Sequence, residues 1–150
     1  MTVFDQLRAG VITGSAEETR QLAAALGRAL PPDTTLALHG NLGVGKTTFV
    51  QGLARGLGIN EPVTSPTFNI FTLHRGPTNL LHLDAYRLES AQQVEDLLLA
   101  DFMLSPWCLA VEWPDKISDW LPPNTVHLDL GIAPDERHTL KLRSSRAHSS

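Results

Sequence analysis

The sequence predicts an α/β domain with a mixed, mostly parallel central sheet flanked by helices and completed by a C-terminal hairpin. Three observations lead there. Short apolar runs of strand length, Thr34–His39, Leu80–Leu83 and Leu109–Val111, alternate with helical segments, the pattern of a buried sheet. Two of these runs end in an acid, Asp84 and Glu112. The first feeds directly into Gly40-Asn41-Leu42-Gly43-Val44-Gly45-Lys46-Thr47, a complete G-x-x-x-x-G-K-[ST] phosphate-binding loop.

The loop carries the chemistry. Its glycines let the backbone curl so that successive N–H groups point inward at a phosphate. Asn41, Leu42, Gly43, Val44, Gly45, Lys46, Thr47 and Thr48 are therefore the expected nucleotide-binding residues, with Lys46 reaching the β/γ-phosphates and the Thr47 hydroxyl holding Mg²⁺. Thr48 to Leu57 reads as a helix closed by Gly58 at its C′ position. A helix N-terminus adds the positive end of its dipole to the site. Strand, loop and helix in this order are what binding of a nucleotide phosphate requires.

The other elements follow in chain order. The first dozen residues suggest at most a short strand near Val11-Ile12-Thr13. Ser15-Ala16-Glu17-Glu18 is a capping box opening a helix to about Leu30, with Leu22, Leu26, Ala29 and Leu30 on its buried face. Pro31-Pro32-Asp33 ends it. After the loop helix, two prolines keep Glu61 to Phe68 extended. Phe68–His74 and Leu80–Asp84 read as a hairpin around Gly76-Pro77-Thr78-Asn79. Ser90-Ala91-Gln92-Gln93 is a second capping box, for a helix through about Leu99. Leu109–Glu112 is a strand, followed by Trp113-Pro114 and a helical piece near Ile117 to Leu121. Thr125–Ile132 and His138–Arg143 pair around Pro134-Asp135. Residues 1–143 form the expected P-loop ATPase domain, and the polar stretch 144–150 is expected to be a disordered tail.

Composition sets the class. The chain of 150 residues is 42% hydrophobic and 19% charged, an ordinary globule in one domain. A net charge of −4 argues against gripping nucleic acid through its own surface. The one cysteine, Cys108, excludes an intramolecular disulfide and lies in an apolar run as a buried bystander. No run approaches transmembrane length and the N-terminus lacks a signal-peptide pattern, so the expectation is a cytoplasmic protein with no membrane partner.

Two acids are placed to complete a catalytic centre with Lys46. Asp84 ends one apolar strand in a Walker B arrangement, and Glu112 ends a second. Each would emerge at the carboxyl edge of its strand, where α/β sheets bind ligands. One would anchor Mg²⁺ and the other would orient or deprotonate water. In Thr64-Ser65-Pro66-Thr67, a hydroxyl such as that of Thr67 could touch Mg²⁺ or the γ-phosphate. Arg87 and Arg137 are further candidates for transition-state charge. The histidines show no metal-ligand spacing, and His82 is expected to pack or hydrogen-bond beside Asp84.

In register, these segments resemble the TsaE (YjeE) family of bacterial ATPases. Gly40 to Phe49 resembles its extended loop and Ser65-Pro66-Thr67-Phe68 its switch-like motif. His82-Leu83-Asp84-Ala85-Tyr86-Arg87-Leu88 and Val111-Glu112-Trp113-Pro114 are similar to its two acidic motifs. The resemblance runs from Gly40 to about Lys116. It implies a single-domain P-loop NTPase fold, binding of ATP and Mg²⁺, and ATP hydrolysis while docked on the TsaB–TsaD pair, which makes threonylcarbamoyladenosine (t6A) in tRNA. TsaD performs the transfer, so contact with tRNA would be indirect. Thr47 and Glu112 would serve Mg²⁺, with Asp84 at or near the metal water shell and the Thr13–Glu17 region against the adenine. Asn41 departs from the family, which often has Asp there, and this affects local hydrogen bonding in the loop.

Two other readings compete. A small-molecule kinase would need an arginine-rich lid and an acceptor pocket, which the residues after Glu112 do not clearly supply. A nucleotide-sensing binding module would use ATP to control docking. A Ras-like GTPase is disfavoured by the missing N-K-x-D motif and by the lack of a glycine two residues after Asp84.

Overall fold

The computed structural model describes residues 2–40, 45–63 and 70–143, and among them seven strands form one sheet. The strands are β1 (Val11–Thr13), β2 (Thr34–His39), β3 (Phe71–His74), β4 (Asn79–Asp84), β5 (Trp107–Glu112), β6 (Val126–Ile132) and β7 (His138–Leu142). Their spatial order is β1-β7-β6-β2-β5-β4-β3. The central four, β6, β2, β5 and β4, run parallel, β3 and β7 flank them antiparallel, and β1 pairs antiparallel with β7. This is the mixed, mostly parallel sheet with a C-terminal hairpin that the sequence predicts. Its central position explains why Thr34 through Leu38 are all buried, for β2 is covered on both faces and paired on both edges.

Alternation along the strands sorts the core into two layers. On one face Leu36, Leu38, Leu80, Cys108 and Ala110 pack with Leu26, Phe49 and Leu53. These come from α2 (Ala16–Ala29) and α3 (Lys46–Gly56), with α1 (Val3–Ala9) adding Leu7. On the other face Leu81, Leu83, Leu109 and Val111 pack with Leu99, Ile117 and Val94 of α4 (Ala91–Asp96). Burial keeps the Cys108 thiol protonated, its pKa pushed up to about 12, in keeping with its expected role as a bystander.

Glycine lets α2 and α3 meet backbone to backbone. A Cβ on Gly52 would lie 2.4 Å from the Arg20 carbonyl oxygen, and one on Gly56 would lie 2.2 Å from that of Ala24. A Cβ on Gly27 would lie 2.9 Å from the Leu53 carbonyl oxygen. No other residue fits these three positions unshifted. Full burial of Phe49 and Leu53, worth about 1.5–3 kcal/mol each, fixes α3 by packing. Its N-cap, Gly45, lies in the left-handed region (φ 90°) and offers no side-chain acceptor.

Several boundaries differ from the sequence reading, each for a local reason. The helix α1 is not anticipated there, although Thr2 and Asp5 form a reciprocal capping box around its start. In α2, Ser15 accepts from the Glu18 N–H, but Glu18 reaches back to the Gly14 N–H rather than to Ser15. The expected start of α3 at Thr48 moves back to Lys46, because the turn begins at Gly45; Gly58 (φ 82°) follows its end as expected. The expected helix through Leu99 stops at Asp96, since Leu98 turns left-handed (φ 56°), and a 3-10 turn follows at Leu99–Phe102. The helical piece expected near Ile117 to Leu121 is a 3-10 turn at Pro114–Ile117, started by Trp113 (φ 56°) with the proline in its first turn. No helix among the described residues is long and apolar enough to cross a membrane. The expected tail, 144–150, lies outside the described residues, as do Phe68 and Asn69 of the expected hairpin.

Candidate active site

The parallel register of β4 and β5 puts Asp84 directly opposite Glu112 at the carboxyl ends of both strands. The register of β2 against β5 puts Leu38 beside Glu112, so the chain leaves β2 for Gly40 next to the two acids. Lys46, the first residue of α3, returns over this edge. Lys46, Asp84 and Glu112, far apart in sequence, are thus gathered at one end of the sheet. Asn41, Leu42, Gly43, Val44 and Thr67 lie outside the described residues.

Lys46 is buried, 5% exposed, and its ammonium donates to the Gly40 carbonyl oxygen at 2.9 Å. It also sits 3.8 Å from the centroid of the Trp113 indole, a cation–π contact. Burial pushes its pKa below the ordinary lysine value, while the charges of Glu112 and Asp84 act in the opposite direction. Both carboxylates therefore lie within electrostatic reach of the ammonium. The indole is in turn held edge-on by Tyr86, with ring centroids 5.1 Å apart, and Lys116 lies 5.8 Å from the Tyr86 ring centroid.

The acids differ in setting. Glu112 is buried and accepts a hydrogen bond of 2.5 Å at Oε2 from Nε2 of His82, a residue with no exposed surface. Asp84 is half-buried, and its Oδ1 accepts from the Tyr86 N–H at 3.0 Å. His82 is expected to pack or hydrogen-bond beside Asp84, and the structure names its partner. Its hydrogen bond goes to Glu112, because it lies two residues back on the same strand face and opposite Ala110, whose methyl leaves the imidazole room.

The donor set suits Mg²⁺. The Thr47 hydroxyl and two carboxylates are hard oxygen ligands, and Mg²⁺ takes one or two carboxylates plus substrate phosphates and water. No group of three or more His, Cys, Asp or Glu side chains among the described residues could hold a metal by itself.

The surroundings of the loop are also built from named side chains. His39, the residue before Gly40, is bonded through Nε2 to Nδ1 of His127 at 2.8 Å, with Asp115 3.7 Å from its other ring nitrogen. Arg143 forms a two-pronged pair with Asp129 beside them. Thr13 pairs in register with His138, whose ring would lie 3.4 Å from a Cβ on Gly45. The start of the Thr13–Glu17 region therefore flanks the loop, while Glu17 itself is engaged by Arg55 at 2.9 Å. Gln51 of α3 donates to the Val63 carbonyl oxygen at 3.1 Å, fixing the chain just ahead of Thr64. Arg137 pairs with its neighbour Asp135 at 2.7 Å, and Arg87 is exposed.

Residues 13–140 match the family model described as "Threonylcarbamoyl adenosine biosynthesis protein TsaE". The chain belongs to the TsaE family. It is 36% identical over 124 residues to the tRNA threonylcarbamoyladenosine biosynthesis protein TsaE of Treponema pallidum, covering 83% of this chain and 92% of that one. The TsaE of Rickettsia bellii is 33% identical over 141 residues, 93% of this chain and 97% of its own. The crystal structure of Bacillus subtilis YdiB superposes with a TM-score of 0.77 at 29% identity, covering 93% of this chain and 86% of that one. The P-loop NTPase fold is thereby shown.

Within this TsaE-family chain, sequence reasoning missed one partner of the site. Trp113 lies beside Glu112 in the quoted acidic motif, yet its contact with Lys46 depends on a left-handed backbone that no local pattern announces.

Proposed function

We propose that this protein is the Mg²⁺-dependent ATPase component of the machinery that makes t6A in tRNA, acting on the TsaB–TsaD pair in the cytoplasm. The observation that carries the reading is the convergence of Lys46, Asp84 and Glu112 where β2 gives way to the phosphate loop. An ammonium and a helix end without a side-chain cap would face the phosphates, and the two acids lie at the same edge of the sheet. On ATP binding, Lys46 would exchange the Gly40 carbonyl for phosphate oxygens.

Thr47 and Glu112 would hold Mg²⁺, which supplies charge neutralisation between the β- and γ-phosphates. Asp84, less buried, would orient the attacking water from the ion's outer shell. The family match and the names of the relatives support a place in t6A biosynthesis. Contact with tRNA would pass through TsaB–TsaD, consistent with a net charge of −4.

The test is Mg²⁺-dependent phosphate release from ATP, by the protein alone and with purified TsaB–TsaD. Strong stimulation by the pair is the expected result. Equal rates in both conditions would overturn the partner assignment, and transfer to an added small-molecule acceptor would make the protein a kinase.

A further inference from the structure

We propose that His82 is a positioning residue, which fixes the Glu112 carboxylate for the metal–nucleotide complex through its Nε2–H. The inference rests on the reading of Glu112 as a residue that serves Mg²⁺-ATP and adds to it the part that holds this acid in place. A carboxylate only accepts hydrogen bonds, so the 2.5 Å contact puts the proton on Nε2 of His82 and ties up Oε2 of Glu112. His82 has no exposed surface, and the Glu112 side chain is 8% exposed, so water cannot compete for the bond.

The placement is dictated by the sheet. His82 and Asp84 lie on one face of β4, and Glu112 lies opposite Asp84 on β5. His82 therefore reaches Glu112 diagonally across the pair, over Ala110. Leu80, the preceding residue on this face, packs in the core under α3, so the imidazole stands on a rigid floor. Among the described residues Nδ1 of His82 has no hydrogen-bond partner. A buried polar atom left unsatisfied is destabilising. A side chain present only to fill this space would not need a ring nitrogen there, so leucine would fill it without the penalty. The bond that histidine does make is the one to Glu112. Fixing one carboxylate oxygen leaves the other in a single orientation at the carboxyl edge of the sheet, as partners behind metal ligands commonly do.

The experiment compares ATP binding by calorimetry, with Mg²⁺ and with a chelator, in the parent, His82→Leu, His82→Gln, Glu112→Gln and the double variant His82→Leu/Glu112→Gln. His82→Leu is expected to weaken binding of Mg²⁺-ATP by about tenfold or more while leaving metal-free ATP within about twofold. His82→Gln, whose amide nitrogen falls near Nε2, is expected to recover most of the loss. In the Glu112→Gln background, His82→Leu is expected to add nothing.

Loss in Glu112→Gln without loss in His82→Leu would overturn the proposal alone. Equal weakening with and without Mg²⁺ in His82→Leu would also overturn it, since that is the mark of general loosening. Parent-like Mg²⁺-ATP binding by Glu112→Gln would overturn the underlying reading of Glu112 and the proposal with it. Should His82→Leu lack a cooperative thermal transition, His82→Asn replaces it, because its amide falls near Nδ1. Asn is then expected to lose Mg²⁺-ATP affinity where Gln keeps it, and identical behaviour of the two would overturn the proposal.

Discussion

The ammonium of Lys46 stacks 3.8 Å from the centroid of the Trp113 indole, so two residues far apart in sequence meet at the mouth of the phosphate loop. Together with the Gly40 carbonyl, the ring satisfies a buried cation.

Lys46→Ala removes the cation and is expected to weaken ATP binding by about 10–100-fold, the worth of one or two charge-assisted hydrogen bonds. The fold should persist, because α3 is held by Phe49 and Leu53 and by its glycine contacts with α2. Calorimetric titration paired with a thermal melt checks both halves. Unchanged affinity would remove Lys46 from the site.

Glu112→Ala is expected to abolish Mg²⁺-dependent phosphate release. It also strands Nε2 of His82 in a buried position, so a stability loss of about 1–3 kcal/mol should accompany it. Urea unfolding measures the second effect and steady-state phosphate release the first. Turnover at the parent rate would make Glu112 a bystander.

Gly52→Ala tests the contact that seats α3 against α2. Its new methyl would meet the Arg20 carbonyl oxygen at 2.4 Å, and neither helix can yield there without moving backbone. Destabilisation of about 1–3 kcal/mol, at the upper end or beyond, is expected despite the gain in helix propensity. A variant with the parent's melting temperature would show that α2 and α3 can separate freely.

Acid should weaken the fold through the pair behind the loop. Burial, with the charge of Arg143 and, for His39, of His127, depresses both imidazoles below the ordinary value of 6.5, while Asp115 and Asp129 act in the opposite direction. The unfolded chain therefore binds these protons at higher pH than the folded one. Stability is complete above about pH 6.5 and falls as pH drops from there towards the depressed values. Urea midpoints at about pH 7.5 and about pH 5.5 should diverge less in the double variant His39→Leu/His127→Leu than in the parent. An unchanged divergence would assign the acid sensitivity elsewhere.

The fold was legible in the sequence where local chemistry and tertiary packing agree. Thr34–His39 and Leu80–Asp84 read as strands because buried parallel strands are continuously apolar, and Ser15 and Gly58 mark helix ends by their own conformations. Strand order was not legible, since nothing local in β2 announces β5 and β6 as its neighbours. Lys46, Asp84 and Glu112 could be named from motif position alone, but their convergence depends on parallel registers set across the sheet. The partner of His82 was not legible for the same reason. Asp84 is its neighbour in sequence, while Glu112 is its neighbour across the strands.

The central position of β2 has a consequence for how ATP would act on the whole molecule. Amide hydrogens of a strand paired on both edges exchange with solvent chiefly when the entire domain opens, whereas fraying ends exchange through small local events. The phosphate loop springs from this slowest-opening strand. A nucleotide that binds only the folded chain raises the cost of global opening by an amount that grows with its concentration. Bound ATP should therefore slow deuterium uptake throughout β2, β5 and β6, down to residues at the far end of the strands that never touch it.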